Sequence, residues 1–342
     1  MLTVVWSGVD WFEFSCRGRL ADGVADDLAV LKADSQTLDV PQLWYAPLPL
    51  YVSRQGAKPW KWVLNADEFQ LRLSDSPKVP AASVKLGATG LAAYGHEGLY
   101  RLSLDVLGGF GELAPSVTSR LDLAVDFQSW EPTDAEMRNN IVCRAAYHGT
   151  HGHYRRDETF QFGEGALVVR IYNKTKELKK SRKVWLADAW ARCPDYDPAR
   201  DVWRFEAQLR REGLQSFGVK HPDDALDSLP ALLGSMLKWC SLRVPQGKNQ
   251  TRWPVDPRWE ALAEAAFAGE SLPRVHEQKR LADYQRTIAQ IAGHLLSAAA
   301  ARRIFDPDEL WPLVREDVDR YVGRKDATFQ QLARDRLAER TG

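Results

Sequence analysis

The sequence lacks the features that mark several specialised classes of protein. Its cysteines form no CxxC pair and no zinc-finger spacing, which indicates reduced thiols in a cytoplasmic protein. No signal sequence with a cleavage site is evident at the N-terminus, and no apolar run approaches the ~20 residues that cross a bilayer. We therefore expect an intracellular protein without a membrane segment. The cysteines are Cys16, Cys143, Cys193 and Cys240.

An excess of charge of either sign is also missing. The 342 residues include 46 Lys and Arg and 46 Asp and Glu, for a formal net charge of zero. A nucleic-acid surface would therefore need local segregation of charge. Such segregation occurs between residues 170 and 183, where Glu177 alone opposes a run of cations. A run of this kind is more often a solvated helix face than a binding site, so other features must decide. The cations are Arg170, Lys174, Lys176, Lys179, Lys180, Arg182 and Lys183.

The first 220 residues predict an α+β domain. From about residue 6 to 217, short β-branched or aromatic runs such as "WKWVLN", "GLYRLSLDVLGGFG" and "SRLDLAVDFQ" alternate with Gly, Pro and Asp. Helices are predicted at "ADDLAVLKA" and at "TDAEMRNNIVCRAAY", where Thr133 and Glu136 have capping-box spacing. We expect a sheet that carries helices on one side.

The remaining residues, 221–342, predict a helical region. Ala, Leu and Arg recur there at helical spacing, and Asp306 with Pro307 forms a helix-start signal. Residues 243–259 are rich in proline and polar residues, which is typical of a linker or loop. We expect this region to bind DNA or a partner.

Three predicted strands each combine an apolar face with a polar one, because side chains alternate across a strand. An ordinary sheet with one solvated face would give the same pattern. A small alanine between two aspartates, and a tyrosine beside cations, are less typical of such a surface, so the combination favours a site. The polar faces carry Asp122, Ala124 and Asp126 in residues 120–127, Arg170 and Tyr172 in residues 168–174, and Arg204, Glu206, Gln208 and Arg210 in residues 203–210.

Convergence of these faces would create a site for phosphate chemistry. Asp122, Glu206 and Asp126 would offer oxygen ligands to Mg²⁺ or Mn²⁺, and the ion would polarise a phosphate. Tyr172 is the predicted nucleophile. A phenol with a pKa of ~10 reacts poorly unless cations favour the phenolate, and Arg170, Lys174 and the metal are expected to lower that pKa. The resulting phosphotyrosine would retain the energy of the broken ester.

The strings "SRLDLAVDF", "VVRIYNKTKEL" and "VWRFEAQLRRE", in this order, resemble the trans-acting rolling-circle replication initiator family of plasmids, phages and integrative elements. The early "SGVDWFEFSC" and residues 85–111 are similar to the family's N-terminal pattern, so the resemblance covers roughly residues 5–220. Its most specific element is the string of Arg170, Tyr172, Asn173 and Lys174, followed by Glu177.

The resemblance implies an enzyme that nicks one strand at an origin, with rejoining through a 5′-phosphotyrosine on Tyr172. It implies a ferredoxin-like antiparallel sheet, metal binding by Asp122 and Glu206, and, as a weaker transfer, by Asp126. Single-stranded or cruciform origin DNA would be the partner, with a host helicase and a second copy of the chain as further implied partners. The predicted DNA contacts are Lys176, Lys179, Lys180, Arg182, Lys183 and Arg204.

Other interpretations remain open. His148, His151 and His153 could bind a metal, although their glycine-containing surroundings favour an exposed hairpin. Arg120, the pair His153 and Arg156, and Tyr172 imitate the order of catalytic residues in tyrosine recombinases, although that family has a helical scaffold and longer spacing. A protein from another class, a DNA-binding replication or regulatory protein without catalysis, would use its aromatic and basic residues to engage single strands.

Overall fold

The computed structural model describes residues 2–37, 42–45, 48–153, 156–181, 185–264, 288, 291–292, 294–324 and 328–331. The strands within these residues are β1 (Thr3–Leu20), β2 (Gln42–Tyr45), β3 (Leu48–Val52), β4 (Trp62–Asn65), β5 (Phe69–Leu73), β6 (Ala82–Leu86), β7 (Gly111–Gln128), β8 (Ile141–Cys143), β9 (His148–His153), β10 (Arg156–Phe162), β11 (Leu167–Asn173), β12 (Trp203–Arg210) and β13 (Cys240–Leu242).

The helices are α1 (Val24–Thr37), α2 (Ala88–Gly108), α3 (Asp134–Asn139), α4 (Lys174–Ser181), α5 (Trp185–Trp190), α6 (Arg211–Ser216), α7 (Pro222–Asp227), α8 (Leu229–Trp239), α9 (Pro257–Glu264) and α10 (Pro307–Gly323). Residues 294–302 are also helical, and Gln250–Arg252 form a 3₁₀ turn.

Eleven of the described strands form one antiparallel sheet in the order β2-β3-β4-β5-β6-β1-β7-β12-β11-β10-β9. The two longest strands, β1 and β7, pair with each other at its centre. Strands β12 and β11 follow on one side of this pair, so the three segments with predicted polar faces are direct neighbours. The predicted α+β class with a large antiparallel sheet and a helical C-terminal region is confirmed.

The main hydrophobic core covers the sheet face opposite those polar residues. The apolar positions of β7, Leu121, Leu123, Val125 and Phe127, have no exposed surface, as the alternation of side chains predicts. Helices α2, α6 and α7 contact the long central strands. Because the core holds both central strands in place, it fixes the position of every polar side chain on the other face.

Capping residues begin two helices as the sequence predicts. Thr133 and Glu136 form a reciprocal capping box at α3, and the Asp306 side chain accepts a hydrogen bond from the Asp308 N–H at the start of α10. The helix expected over residues 133–147 is wrong beyond Asn139, because residues 141–143 form β8. The strand character expected for "GLYRLSLDVLGGFG" is wrong, because residues 98–108 belong to α2. Leu99, Tyr100, Ser103, Val106 and Leu107 are buried there, at the three- and four-residue intervals of a helix face.

Helices α7, α8 and α9, which follow residue 220, share the core of the sheet. Leu229 and Leu233 of α8 and Trp259 of α9 belong to the same buried cluster as the residues of β7. Of the predicted loop at 243–259, residues 243–256 connect β13 to α9 with one 3₁₀ turn and are held by a bridge between Arg243 and Val255, whereas residues 257–259 belong to α9. The division into domains at residue 220 stays a prediction, as does the role of this loop as a linker.

Among the described helices, none combines the length and the apolar character that a bilayer span requires.

Gly18 marks a point where β1 and β7 approach too closely for a side chain. Its φ of 134° is one that L-residues avoid, and an added Cβ would lie 1.8 Å from the Glu112 carbonyl oxygen. Gly23 provides a matched control, since its φ is also positive, at 84°, but its Cβ position is open.

We expect Gly18→Ala to destabilise the protein by about 1–3 kcal/mol more than Gly23→Ala does, because only the first substitution forces two strands apart. Urea unfolding of the two variants measures the difference. Equal losses would contradict the close approach.

Candidate active site on the polar face of the sheet

Two rows of side chains cross the polar face from β11 through β12 and β7 to β1. Register places the members of each row opposite one another on adjacent strands. Side chains in such positions are within contact distance. The first row contains Tyr172, Arg204, Asp126 and Trp6, and the second contains Arg170, Glu206, Ala124 and Gly8.

Tyr172 is engaged by the carboxylate of the neighbouring strand. Its phenol donates a hydrogen bond of 2.8 Å to Glu206 Oε2, and Arg170 Nη1 donates one of 2.9 Å to the other oxygen of that carboxylate. The structure therefore brings the predicted nucleophile, a predicted cation and a predicted metal ligand into one hydrogen-bonded group.

Lys174 reaches the same phenol from the first residue of α4. Its ammonium nitrogen lies 3.4 Å from the Tyr172 oxygen and 2.6 Å from Glu177, and only 2% of the side chain is exposed. Asn173 fixes the chain reversal between β11 and α4, because its side-chain oxygen accepts a hydrogen bond from the Lys176 N–H. This turn holds Lys174 beside the Tyr172 side chain.

The expected lowering of the Tyr172 pKa is wrong. Burial, followed by the negative charge of Glu206, raises the pKa of Tyr172 well above 10, and the nearby Arg204 only partly offsets this shift. The phenol is hydrogen-bonded to the Glu206 carboxylate, whose negative charge favours the protonated form of Tyr172. Tyr172 is therefore a neutral hydrogen-bond donor at physiological pH.

Arg204 is fully buried between two carboxylates. Its Nε and Nη2 donate to the two oxygens of Asp126, at 2.5 and 2.9 Å, and its Nη1 donates to Asp10 at 2.6 Å. Trp190 of α5 adds a third hydrogen bond to Asp126, at 2.8 Å, and the Trp6 ring lies 5.2 Å from the guanidinium. Because Arg204 has no exposed surface, it cannot contact DNA in this arrangement.

Sequence reasoning missed Asp10 and Trp190. Asp10 lies at a register shift of β1 between Val9 and Trp11, and such a bulge changes the direction of side chains. Trp190 comes from α5, which lies on the polar side of the sheet, so the expectation of helices on one side only is wrong. The strand alternation of β1 places Asp10 on the same face as Trp6, which is a signal that could have found it.

Asp122 is paired with Arg120 rather than with another carboxylate. Arg120 Nε and Nη2 donate to its two oxygens, at 2.9 and 2.5 Å, and the guanidinium lies 4.4 Å from the Trp11 ring. Burial nevertheless raises the pKa of Asp122 to about 7, since desolvation outweighs Arg120 and the charge of Glu206 adds to the shift.

The three predicted metal ligands do not fit a divalent ion as they are placed. Each carboxylate oxygen of Asp122, Asp126 and Glu206 already accepts a hydrogen bond from Arg120, Arg204, Arg170, Trp190 or Tyr172. Across the part of the chain that the structure describes, no group of three or more His, Cys, Asp or Glu could hold a metal ion. Binding of Mg²⁺ or Mn²⁺ stays a prediction.

The predicted DNA-binding cations divide into three groups. Lys176 and Lys179 lie on α4, where Lys179 is exposed and Lys176 is half-buried. Lys180 is also on α4, but its side chain lies outside the described residues, as do Arg182 and Lys183 altogether. Arg204 is the buried residue of the sheet described above.

The histidine cluster lies at the far edge of the sheet. Strands β9 and β10 pair as an antiparallel hairpin, as expected. The His148 ring packs edge-on against Phe162, with centroids 5.1 Å apart. The side chains of His151 and His153 are outside the described residues. Tyr172 lies on a strand, which disfavours the helical scaffold of a tyrosine recombinase.

Comparisons with known proteins add little to this chemistry. No protein-family model matches the chain, and no curated protein matches it. Among solved structures, the chain is similar to one titled as a rolling circle replication initiator protein from Geobacillus stearothermophilus, with 16% identity and a TM-score of 0.47. That similarity covers 79% of this chain and 100% of the other. A TM-score this low supports no functional argument.

Arg204→Ala is expected to cost about 3–5 kcal/mol of stability, because it leaves Asp126 and Asp10 without their shared cation. The control is Arg200→Ala, which removes a half-exposed pair with Asp197 and should change stability by less than about 1 kcal/mol. Chemical denaturation compares the two. A loss for Arg204→Ala as small as the control's would contradict the buried network.

Asp122 should make the protein less stable as pH rises. Its folded-state pKa of about 7 exceeds the ordinary value of 3.8, so the folded state keeps a proton that the unfolded state has released. This contribution is fully present below pH 3.8 and is lost as pH rises through about 7. We expect Asp122→Asn to flatten the decline of unfolding free energy across that window, as measured by urea titrations at several pH values. An unchanged slope would contradict the shift.

Proposed function

We propose that this chain is a rolling-circle replication initiator that nicks one strand of origin DNA with Tyr172 as the nucleophile. The observation that carries this proposal is the contact of the Tyr172 phenol with Glu206 at 2.8 Å, beside Arg170 and Lys174. A tyrosine placed between a proton acceptor and two cations is the arrangement that attack on a phosphodiester requires. The resemblance of the sequence motifs to the initiator family supports the same class.

Glu206 acts in this proposal as the general base. As the Tyr172 oxygen bonds to phosphorus, the phenolic proton passes to the Glu206 carboxylate, and the bond from phosphorus to the 3′ oxygen breaks. The leaving oxygen takes a proton from solvent. The products are a 5′-phosphotyrosine and a free 3′ hydroxyl, and the reverse reaction rejoins the strand. Because Glu206 removes the proton during the attack, the reaction does not require a free phenolate, and the raised pKa of Tyr172 is compatible with it.

Cations and an unused donor stabilise the charge on the phosphate. Arg170 and Lys174 lie within hydrogen-bonding reach of the Tyr172 and Glu206 pair. Gln208 accepts a hydrogen bond from Arg170 at 3.2 Å, whereas its buried Nε2 has no partner among the described residues. A buried donor without a partner is costly, and a phosphate oxygen would satisfy it.

The bound DNA would continue from the site onto α4. Lys176 and Lys179 belong to the helix that begins next to Tyr172, and in this proposal they contact phosphates that flank the cut. The setting in a plasmid, phage or integrative element, the helicase partner and the homodimer belong to this proposal through the resemblance alone. So does Mg²⁺ or Mn²⁺, which would have to displace Arg120 from Asp122 or Arg170 from Glu206.

The test incubates the protein with labelled single-stranded oligonucleotides tiled across the DNA that flanks its gene, with Mg²⁺ or Mn²⁺ and with EDTA. We expect an adduct that survives denaturant for one or a few oligonucleotides. Tyr172→Phe should abolish the adduct and keep most of the affinity, and Glu206→Gln should slow its formation by about 10²–10⁴-fold.

Tyr147→Phe is the matched control, because Tyr147 is 40% exposed, and it should react like the unaltered protein. An adduct that persists in Tyr172→Phe would identify another nucleophile. Firm DNA binding without an adduct on any oligonucleotide would favour the non-catalytic replication protein. The EDTA arm reports whether the reaction depends on a divalent ion.

A further inference from the structure

A pair of cysteines faces each other away from the candidate active site. Strands β8 and β13 form a two-stranded antiparallel sheet in which Cys143 and Cys240 are direct register partners. Both cysteines are free thiols. The sequence spacing of the four cysteines gave no sign of this pair, because 143 and 240 are far apart in the chain and meet only through strand pairing.

Backbone hydrogen bonds show which kind of register position the cysteines occupy. The Arg144 N–H donates to the Trp239 carbonyl at 3.1 Å, and the Arg243 N–H donates to the Asn140 carbonyl at 2.8 Å. Hydrogen-bonded and non-hydrogen-bonded pairs alternate along an antiparallel ladder. Cys143 and Cys240 are one step from a hydrogen-bonded pair, so they form a non-hydrogen-bonded pair.

That position suits a covalent bond between the two sulfurs. Cα atoms of such pairs are about 4.5 Å apart and their side chains point to the same face, which falls inside the range of about 4.4–6.8 Å that disulfides tolerate. The register brings the two thiols close enough for each to influence the pKa of the other.

The two cysteines differ in their exposure. Cys143 is half-buried and can meet a small oxidant, whereas Cys240 has no exposed surface. The Ala145 N–H donates to the Cys143 sulfur at 3.4 Å. The neighbouring Cys240 thiol, more than this backbone donor, lowers the pKa of Cys143 against the opposing effect of burial. Cys143 is thus the thiol that reacts first, and Cys240 is the one that resolves it.

We propose that Cys143 and Cys240 form a site of reversible thiol–disulfide oxidation by peroxides. The Cys143 thiolate attacks one oxygen of hydrogen peroxide, which gives a sulfenic acid and hydroxide. The Cys240 thiol then displaces the sulfenic hydroxyl, so that two thiols and one peroxide become one disulfide and two water molecules. The two sulfurs together lose two electrons, and the peroxide oxygens gain them.

The disulfide would close a loop of roughly 100 residues that contains β9, β10, β11 and β12. Cross-linking a loop of this length restricts the unfolded chain. Oxidation should therefore stabilise the segment that carries Tyr172, and thiol reductants should reverse the effect. This inference does not depend on the proposed nicking activity.

The test treats the full chain with hydrogen peroxide, blocks free thiols with iodoacetamide and maps the peptides by mass spectrometry. We expect a cross-linked peptide pair containing Cys143 and Cys240, about 2 Da lighter than the sum of its thiol forms, and its loss on treatment with dithiothreitol. The thermal unfolding midpoint should rise by several degrees on oxidation and fall back on reduction.

Cys193→Ser is the matched control, because Cys193 is also half-buried but its thiol donates to the Val4 carbonyl at 3.6 Å, and the substitution should leave the cross-link intact. Cys143→Ser should abolish the cross-link. If a variant fails to fold, peptide mapping of the oxidised unaltered protein still shows whether Cys143 and Cys240 are cross-linked. Accumulation of sulfinic acid on Cys143 without a cross-link, or a cross-link through Cys16 or Cys193, would overturn the proposal.

Discussion

Arg204 carries a full positive charge without any contact with solvent, and the polar face of the sheet is built around the need to balance it. Asp126 and Asp10 supply the opposite charge, and Trp6 and Trp190 close the remaining sides. These partners come from β7, β1 and α5, so the ion pair is formed only when those two strands and the helix are assembled against β12. A buried ion pair adds little stability but is costly to break, which makes it a strong constraint on register.

The same constraint explains the state of Tyr172. The phenol lies next to Arg204 in the first row, but it donates its hydrogen bond to Glu206 in the second row. Ala124 and Gly8 continue that second row, and the Trp6 ring lies over Gly8. The site therefore holds Tyr172 as a neutral phenol that is already hydrogen-bonded to its proton acceptor, Glu206. Its chemistry depends on proton transfer during the reaction rather than on an ionised tyrosine.

Local sequence was sufficient to predict which residues share the polar face, because alternation along a strand needs no knowledge of the fold. It placed Tyr172, Glu206 and Asp122 on that face. The partners of Asp126 and Glu206 depend on the register between distant strands, so the arginines that hold them were beyond reach. Arg120, in contrast, precedes Asp122 by two residues on the same strand, so alternation alone could have predicted that this carboxylate pairs with an arginine. The helix at residues 98–108 was missed although its leucine-rich composition favours a helix, since short apolar runs read equally well as strands.

The protonation state of Tyr172 is the most direct test of this account. The protein would be labelled with tyrosine carrying ¹³C at Cζ, and the Tyr172 resonance, assigned by its absence in Tyr172→Phe, would be followed by NMR as pH rises. The account predicts that this resonance stays in the phenol form through pH 10, where exposed tyrosines titrate. A Tyr172 resonance that titrates below pH 10 would contradict it, because the cations would then outweigh burial and Glu206.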